Sequence, residues 1–167
     1  MSESSSNPSI IRLPELNLPR YEARLRRDVA APDAVEIYDV LRAKWVALTP
    51  EEWVRQSFVN MLMTCRGYSA QLMANEVGII LNGTRRRCDT LVYDRAMKVA
   101  LIVEYKAPTV VITQRVFDQI ARYNMVLGAR YLVVSNGMRH YCCHMPGDGS
   151  YHFVGDLPSA SDLYNAL

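Results

Sequence analysis

Three apolar runs follow one another at about residues 72–81, 87–93 and 99–106, separated by Asn82-Gly83 and by a polar turn around Arg95. Runs of this length, bounded by turn residues, predict three consecutive strands. A helix should precede them. Thr49 suits the N-cap, Pro50 the first helical position, and Glu52 stands where a capping box places its acid. Val54, Phe58, Met61 and Leu62 then share a helix face, and Gly67 is the stop signal. Pro108 closes the third strand. Beyond it, Thr113 suits the N-cap of a second helix with Val116, Phe117, Ile120, Tyr123 and Leu127 on its apolar face and Gly128 at its end. Tyr131-Leu132-Val133-Val134 reads as a strand buried on both faces. Asn136-Gly137 is a hairpin turn, with a return strand over Met138–Met145 and an edge strand near Tyr151–Val154. Before the first helix, Val35–Val40 alternates as a short strand does.

Helix, three strands, helix and further strands predict an α/β (α+β) domain with a mixed central β-sheet flanked by helices. Residues 1–34 read as a flexible N-terminal arm, partly disordered: residues 1–9 are Ser-rich, and Ile10–Pro19 should run extended on the domain surface. The domain proper then spans 35–167.

At 167 residues the chain can bury a real core, and half of it is apolar. Its net charge of +2 announces no global polycation, so any nucleic-acid binding must come from a local patch. Cys65, Cys88, Cys142 and Cys143 lack the paired spacing of zinc or redox motifs and read as reduced structural thiols. His140, His144 and His152 likewise lack metal-ligand spacing. With no run long enough to span a membrane and no signal-peptide pattern at the start, a cytoplasmic protein is expected.

Charged residues inside the apolar runs carry the chemistry. Asp89 interrupts one run, and Glu104-Tyr105-Lys106 ends the next. Side chains alternate faces along a strand, so Glu104 and Lys106 share one face. If the two runs pair as a hairpin closed near Arg95–Lys98, Asp89 faces Glu104. Two carboxylates side by side repel, and nothing about stability recommends the pairing. A divalent cation between them would, because hard cations take carboxylate oxygens. The plain alternative is a solvated strand face with an ordinary Glu-Lys pair.

Four segments in order carry a resemblance to a known family. They are Thr49-Pro50-Glu51-Glu52-Trp53-Val54-Arg55-Gln56, Arg87-Cys88-Asp89-Thr90-Leu91-Val92-Tyr93-Asp94, Val103-Glu104-Tyr105-Lys106-Ala107-Pro108, and Phe117-Asp118-Gln119-Ile120-Ala121-Arg122-Tyr123-Asn124. The set resembles the PD-(D/E)xK nuclease superfamily, and more closely the N-terminal nuclease domain of type I restriction enzyme R (restriction) subunits. Cys88 stands where many members have Pro. The resemblance implies a restriction-endonuclease-like core over residues 35–167 and Mg²⁺-dependent hydrolysis of double-stranded DNA, with Mn²⁺ as a substitute ion. Asp89 and Glu104 would hold the metal with the carbonyl of Tyr105, and Lys106 would support the attacking water. Glu52, in preference to Glu51, would complete the acidic site, although its capping role explains it equally well. Gln119 and Tyr123 resemble the Gln-x-x-x-Tyr element of the family. They share one helical stripe and would serve nucleic-acid binding if it faces the cleft, Gln119 by contacting DNA backbone or by holding Lys106.

Arg85, Arg86 and Arg87 form a short basic run at the mouth of the expected cleft, where phosphate contacts are wanted, though such runs are usually solvated loops. No G-x-x-x-x-G-K-[ST] loop occurs, so this chain is expected to carry no ATP-driven motor of its own, and to be either a free-standing nuclease-like domain or a partner of specificity/modification or motor subunits of a restriction system. A binding module that keeps the fold without cleaving is the competing reading.

Overall fold

The computed structural model describes residues 13–27, 31 and 34–165. The Ser-rich start and the first residues of the expected arm lie outside these. A small antiparallel sheet comes first, ordered β1 (Leu25–Arg27), β2 (Val35–Asp39), β3 (Lys44–Ala47). Helix α1 (Pro50–Arg66) follows, then a short 3₁₀ turn at Ala70–Leu72. The main sheet holds β4 (Met73–Leu81), β5 (Thr84–Tyr93), β6 (Val99–Tyr105), β7 (Tyr131–Ser135), β8 (His140–His144) and β9 (His152–Val154), hydrogen-bonded in that order. Helix α2 (Gln114–Leu127) joins β6 to β7, the one parallel pair among the described strands, and α3 (Ala160–Asn165) closes the described chain.

Two apolar clusters lie on opposite faces of this mixed sheet. Val54, Phe58 and Leu62 of α1 pack on Val92, Leu101, Val103 and Tyr105. Phe117, Ile120 and Tyr123 of α2 pack on Leu91, Ile102, Leu132 and Val134. Alternation along β6 feeds both clusters, which is why Ala100–Tyr105 is buried throughout. The expected helix signals are used. Thr49 Oγ1 accepts the Glu52 N–H at 3.0 Å, and Gly67 ends α1 at φ 74°. Thr113 precedes α2 but makes no side-chain capping bond.

Strands β1 and β3 and helix α3 have no counterpart in the hydrophobic pattern. Instead of an apolar stripe, β1–β3 are joined by guanidinium–aromatic stacking. Arg24 lies 4.0 Å from the Tyr38 ring centroid and Arg26 4.4 Å from that of Trp45. Helix α3 is short, but Leu163 is fully buried in the α1-side cluster. Strand β1 lies in the segment read as an arm and pairs with β2. Further upstream, Leu16 and Leu18 pack on the core, the Asn17 N–H donates to the Gly137 carbonyl at 2.8 Å, and Trp53 Nε1 donates to the Pro14 carbonyl at 2.9 Å. Gly137 is required there. At φ 81°, a Cβ would sit 2.7 Å from Leu16.

The feature that positions the site is a fork in the sheet. Strands β5 and β6 pair from Thr90↔Val103 through Leu91↔Ile102 and Val92↔Leu101. Their register would bring Asp89 opposite Glu104, but the ladder stops at Thr90. Residues Thr84–Cys88 pair with β4 alone, so the β4–β5 hairpin leaves the sheet as a two-stranded ribbon. Its tip is the two-residue turn Asn82-Gly83, with φ 49° and 73°.

Candidate active site

Asp89 sits at the crotch of the fork. Its Oδ2 accepts the main-chain N–H of Tyr105 at 2.8 Å, replacing the ladder bond the diverging strands cannot make. Its Oδ1 accepts from Arg55 Nη2 at 3.1 Å. Glu104, on the neighbouring strand, is 4% exposed. Its Oε1 accepts from Lys106 Nζ at 2.8 Å and from Gln119 Nε2 at 3.1 Å. Tyr105 turns its ring into the core, 5.7 Å from Phe58, so only its main chain can serve the site.

The electrostatics follow from burial and crowding. Burial, then the negative charge of Asp89, pushes the Glu104 carboxyl up to about 7; the Lys106 contact opposes this without overcoming it. Burial works against the Lys106 ammonium, but the hydrogen bond to Glu104 and the charges of Glu104, Asp89 and Glu51 raise its pKa above the ordinary lysine value. Both partners of this pair are thus shifted upward, Glu104 chiefly by burial and Lys106 chiefly by Glu104, with the Asp89 charge adding to both.

The helix acid preferred from the sequence is engaged by neighbouring side chains. Glu52 turns inward: Arg55 Nη1 lies 2.5 Å away, Gln56 Nε2 2.8 Å and Arg42 Nη2 3.3 Å. Its carboxylate does not reach back to close the capping box. Glu51, one residue earlier, feels the site instead. Burial and then Asp89 raise its pKa, while Lys106 lowers it, so its charge belongs to the cluster of Asp89, Glu104 and Lys106.

Two residues not anticipated as parts of the site complete it. Arg55, 4% exposed, contacts Glu52, Asp89 and, at 2.6 Å, Glu76. Glu76 lies on β4 between the pairs Asn75↔Thr90 and Val77↔Cys88, hence opposite Asp89, with a left-handed φ of 60°. A non-glycine residue held there is strained, and such strain collects at functional sites. Beneath them a buried chain ties the small sheet to the large one. Thr90 Oγ1 donates to Asn75 Oδ1 at 2.6 Å, and Asn75 Nδ2 to Asp39 Oδ2 at 2.9 Å. Asp39 also accepts from Arg42, which reaches Glu52.

Gln119 and Tyr123 face the site, though Gln119 holds Glu104 rather than Lys106. Its Nε2 also lies 3.2 Å from the Tyr123 hydroxyl. The arginine run is divided by strand alternation. Arg87 Nε pairs with Glu76 at 2.5 Å, and Arg86 faces α2, as the buried Cys88 two residues on does. Arg85 lies exposed on the ribbon. The thiol of Cys88 is pushed up to about 12, first by burial and then by Glu104 and Asp89, so it is inert. His140 is structural, its Nδ1 2.8 Å from Ser135 Oγ and its Nε2 2.9 Å from the Asn17 carbonyl.

Among the described residues, no three Asp, Glu, His or Cys side chains form a ready-made metal cage. The donors nonetheless fit a hard cation. Asp89 and Glu104 offer carboxylate oxygens and Tyr105 a carbonyl, and Mg²⁺ commonly binds through one or two carboxylates while keeping several waters. No helix among the described residues is long and apolar enough to cross a membrane.

A fragment of a putative HsdR subunit of a type I restriction enzyme from Vibrio vulnificus YJ016 shares this fold. It aligns with a TM-score of 0.54 at 16% sequence identity, over 70% of this chain and 24% of that one. The chain thus spans about a quarter of that structure's length. No curated protein matches the chain. Residues 50–158 match the family described as type I restriction enzyme R protein N terminus, from the start of α1 through β9. Fork, helices α1 and α2 and the restriction-endonuclease-like sheet all fall within those residues, and the chain belongs to that family.

Proposed function

We propose that this chain is a metal-dependent endodeoxyribonuclease domain that hydrolyses phosphodiester bonds of double-stranded DNA. The observation that carries the reading is the convergence of Asp89 and Glu104 at the fork, with the Lys106 ammonium bonded to Glu104 on the same side. Asp89, Glu104 and the Tyr105 carbonyl are the ligands for Mg²⁺, or for Mn²⁺ in its place. A bound ion of this kind lowers the pKa of its water and neutralises charge on the phosphate. Lys106 orients the attacking water, and Glu51 adds the helix charge that Glu52 cannot. Gln119 fixes the rotamer of Glu104. Arg55 holds Asp89 and offsets part of the crowded negative charge. The domain works in the cytoplasm with the motor and the specificity or modification functions of a restriction system.

One observation favours a second reading. Both carboxylates already have cationic partners, Arg55 and Lys106, as they would in a module that binds DNA without cutting it. Supercoiled plasmid with Mg²⁺ or Mn²⁺ separates the two. Nicking by the native protein that disappears in Asp89→Asn and in Lys106→Ala supports hydrolysis. Plasmid binding without metal-dependent nicking would overturn it in favour of the module.

A further inference from the structure

Beside the acid site, the β4–β5 ribbon and α2 enclose a polar groove of about 450 Å³. Arg86 enters it from the ribbon, and Arg115 and Arg122 from α2. The helical residues are seven apart, two turns on one face, with Gln119 between them. Among the described residues no Asp or Glu forms an ion pair with any of the three guanidiniums; Arg122 Nε donates only to the carbonyl of Asp118. Like charges gathered in one groove without counter-charge do nothing for folding. They suit an external anion, and guanidinium forks match phosphate geometry.

The groove is connected to the fork by a single side chain. Gln119 lines the groove and donates to Glu104 Oε1 at 3.1 Å. We infer that Arg86, Arg115 and Arg122 form a subsite for backbone phosphate of the DNA strand next to the bond being cut, clamped between ribbon and helix. This rests on the nuclease reading for its substrate and extends it by naming which arginines hold the strand. Only Arg86 of the arginine run takes part, since Arg87 is engaged by Glu76. A polymeric phosphate suits the place because the groove is lined mainly by polar side chains, three of them guanidiniums. Its selectivity is for the charge and shape of the backbone, not for sequence.

The test is binding of a short fluorescent DNA duplex by anisotropy, without divalent cation, across a salt series. Arg86→Ala, Arg115→Ala and Arg122→Ala are compared with Arg95→Ala, which removes an exposed charge from the β5–β6 turn. Each groove variant should weaken binding about three- to tenfold and reduce the salt slope by about one, while Arg95→Ala changes neither. Groove variants that bind as the native protein does would overturn the subsite, as would an Arg95→Ala loss of equal size or a native protein that binds no duplex. Plasmid nicking is read in parallel with Mg²⁺. Loss of binding in the groove variants with no nicking by the native protein leaves the subsite standing and removes the hydrolase. Nicking with no effect of the groove variants on binding does the reverse.

Discussion

The carboxylate of Asp89 accepts the main-chain N–H of Tyr105 at 2.8 Å, at the point where the β5–β6 ladder ends. One side chain therefore holds the fork and presents an oxygen to it. These two duties separate by substitution. Asp89→Asn keeps an oxygen for the Tyr105 N–H, and the relief of repulsion from Glu104 and Glu76 offsets the weakened Arg55 contact. Asp89→Ala leaves the N–H unpaired, costing about 1–3 kcal/mol. Urea unfolding should show Asp89→Asn within about 1 kcal/mol of the native protein and Asp89→Ala well below it, with nicking lost in both. Equal stability of the two variants would show that the fork does not depend on this bond.

The pH dependence of stability should carry the mark of Glu104. Its folded pKa is about 7 against an ordinary 4.5, so between those values the folded state binds more protons than the unfolded one. Stability therefore falls as pH rises through that window, and the loss is complete above about pH 7. Glu104→Gln removes the ionisation, so the variant should be the more stable protein at pH 8, by roughly 1–3 kcal/mol without metal, and lose that advantage at pH 5. A cation at the fork favours the ionised form, so Mg²⁺ should raise the melting temperature more at pH 8 than at pH 6. Thermal melts at both pH values check this. An Mg²⁺ shift independent of pH would remove Glu104 from the ligand set.

Glu51 and Glu52 are adjacent and differ in consequence. Glu52→Gln breaks buried contacts with Arg55 and Arg42 and should cost about 3–5 kcal/mol. Glu51→Gln disturbs no such pair. It should change stability by no more than about 0.5 kcal/mol while lowering the nicking rate roughly tenfold or more. Chemical denaturation and plasmid nicking on both variants read the two effects. If the larger rate loss accompanied Glu52→Gln at unchanged stability, the helix acid would be reassigned.

The sequence carried the strand and helix pattern of the main sheet because apolar runs, Asn-Gly turns and caps are local signals. It favoured Glu52 over Glu51 without seeing what surrounds either. Both stand in the first turn of α1, and what sets them apart is that Arg42 and Arg55, which arrive from a loop and the next helical turn, engage Glu52. Glu76 was within reach. The two-residue turn Asn82-Gly83 fixes the β4–β5 register, and counting back from Leu81↔Thr84 places Glu76 opposite Asp89. Strands β1 and β3 were not legible, since arginines stacked on Tyr38 and Trp45 leave no alternating apolar pattern. Nor was the end of the β5–β6 ladder, which depends on where two strands part rather than on what either contains.

Arg55 is where these relationships meet. Its guanidinium touches Glu52, Glu76 and Asp89 while nearly sealed from water, and it lies 5.7 Å from the Tyr105 ring centroid. Removing one partner of a buried charge cluster leaves the others uncompensated. Arg55→Met preserves much of the packing volume but strips the counter-charge from three carboxylates, so it should destabilise the metal-free protein by about 3–5 kcal/mol. Loss of that cation also sharpens the repulsion between Glu76 and Asp89, which an added divalent ion can relieve. The Mg²⁺-induced rise in melting temperature should therefore be larger in Arg55→Met than in the native protein, although the metal-free variant melts lower. Calorimetry with and without Mg²⁺ reads both numbers. A variant as stable as the native protein would mean that Arg55 is not needed to balance the fork. A smaller Mg²⁺ shift in the variant would mean that Arg55 shapes the ion's site instead of competing with it for charge.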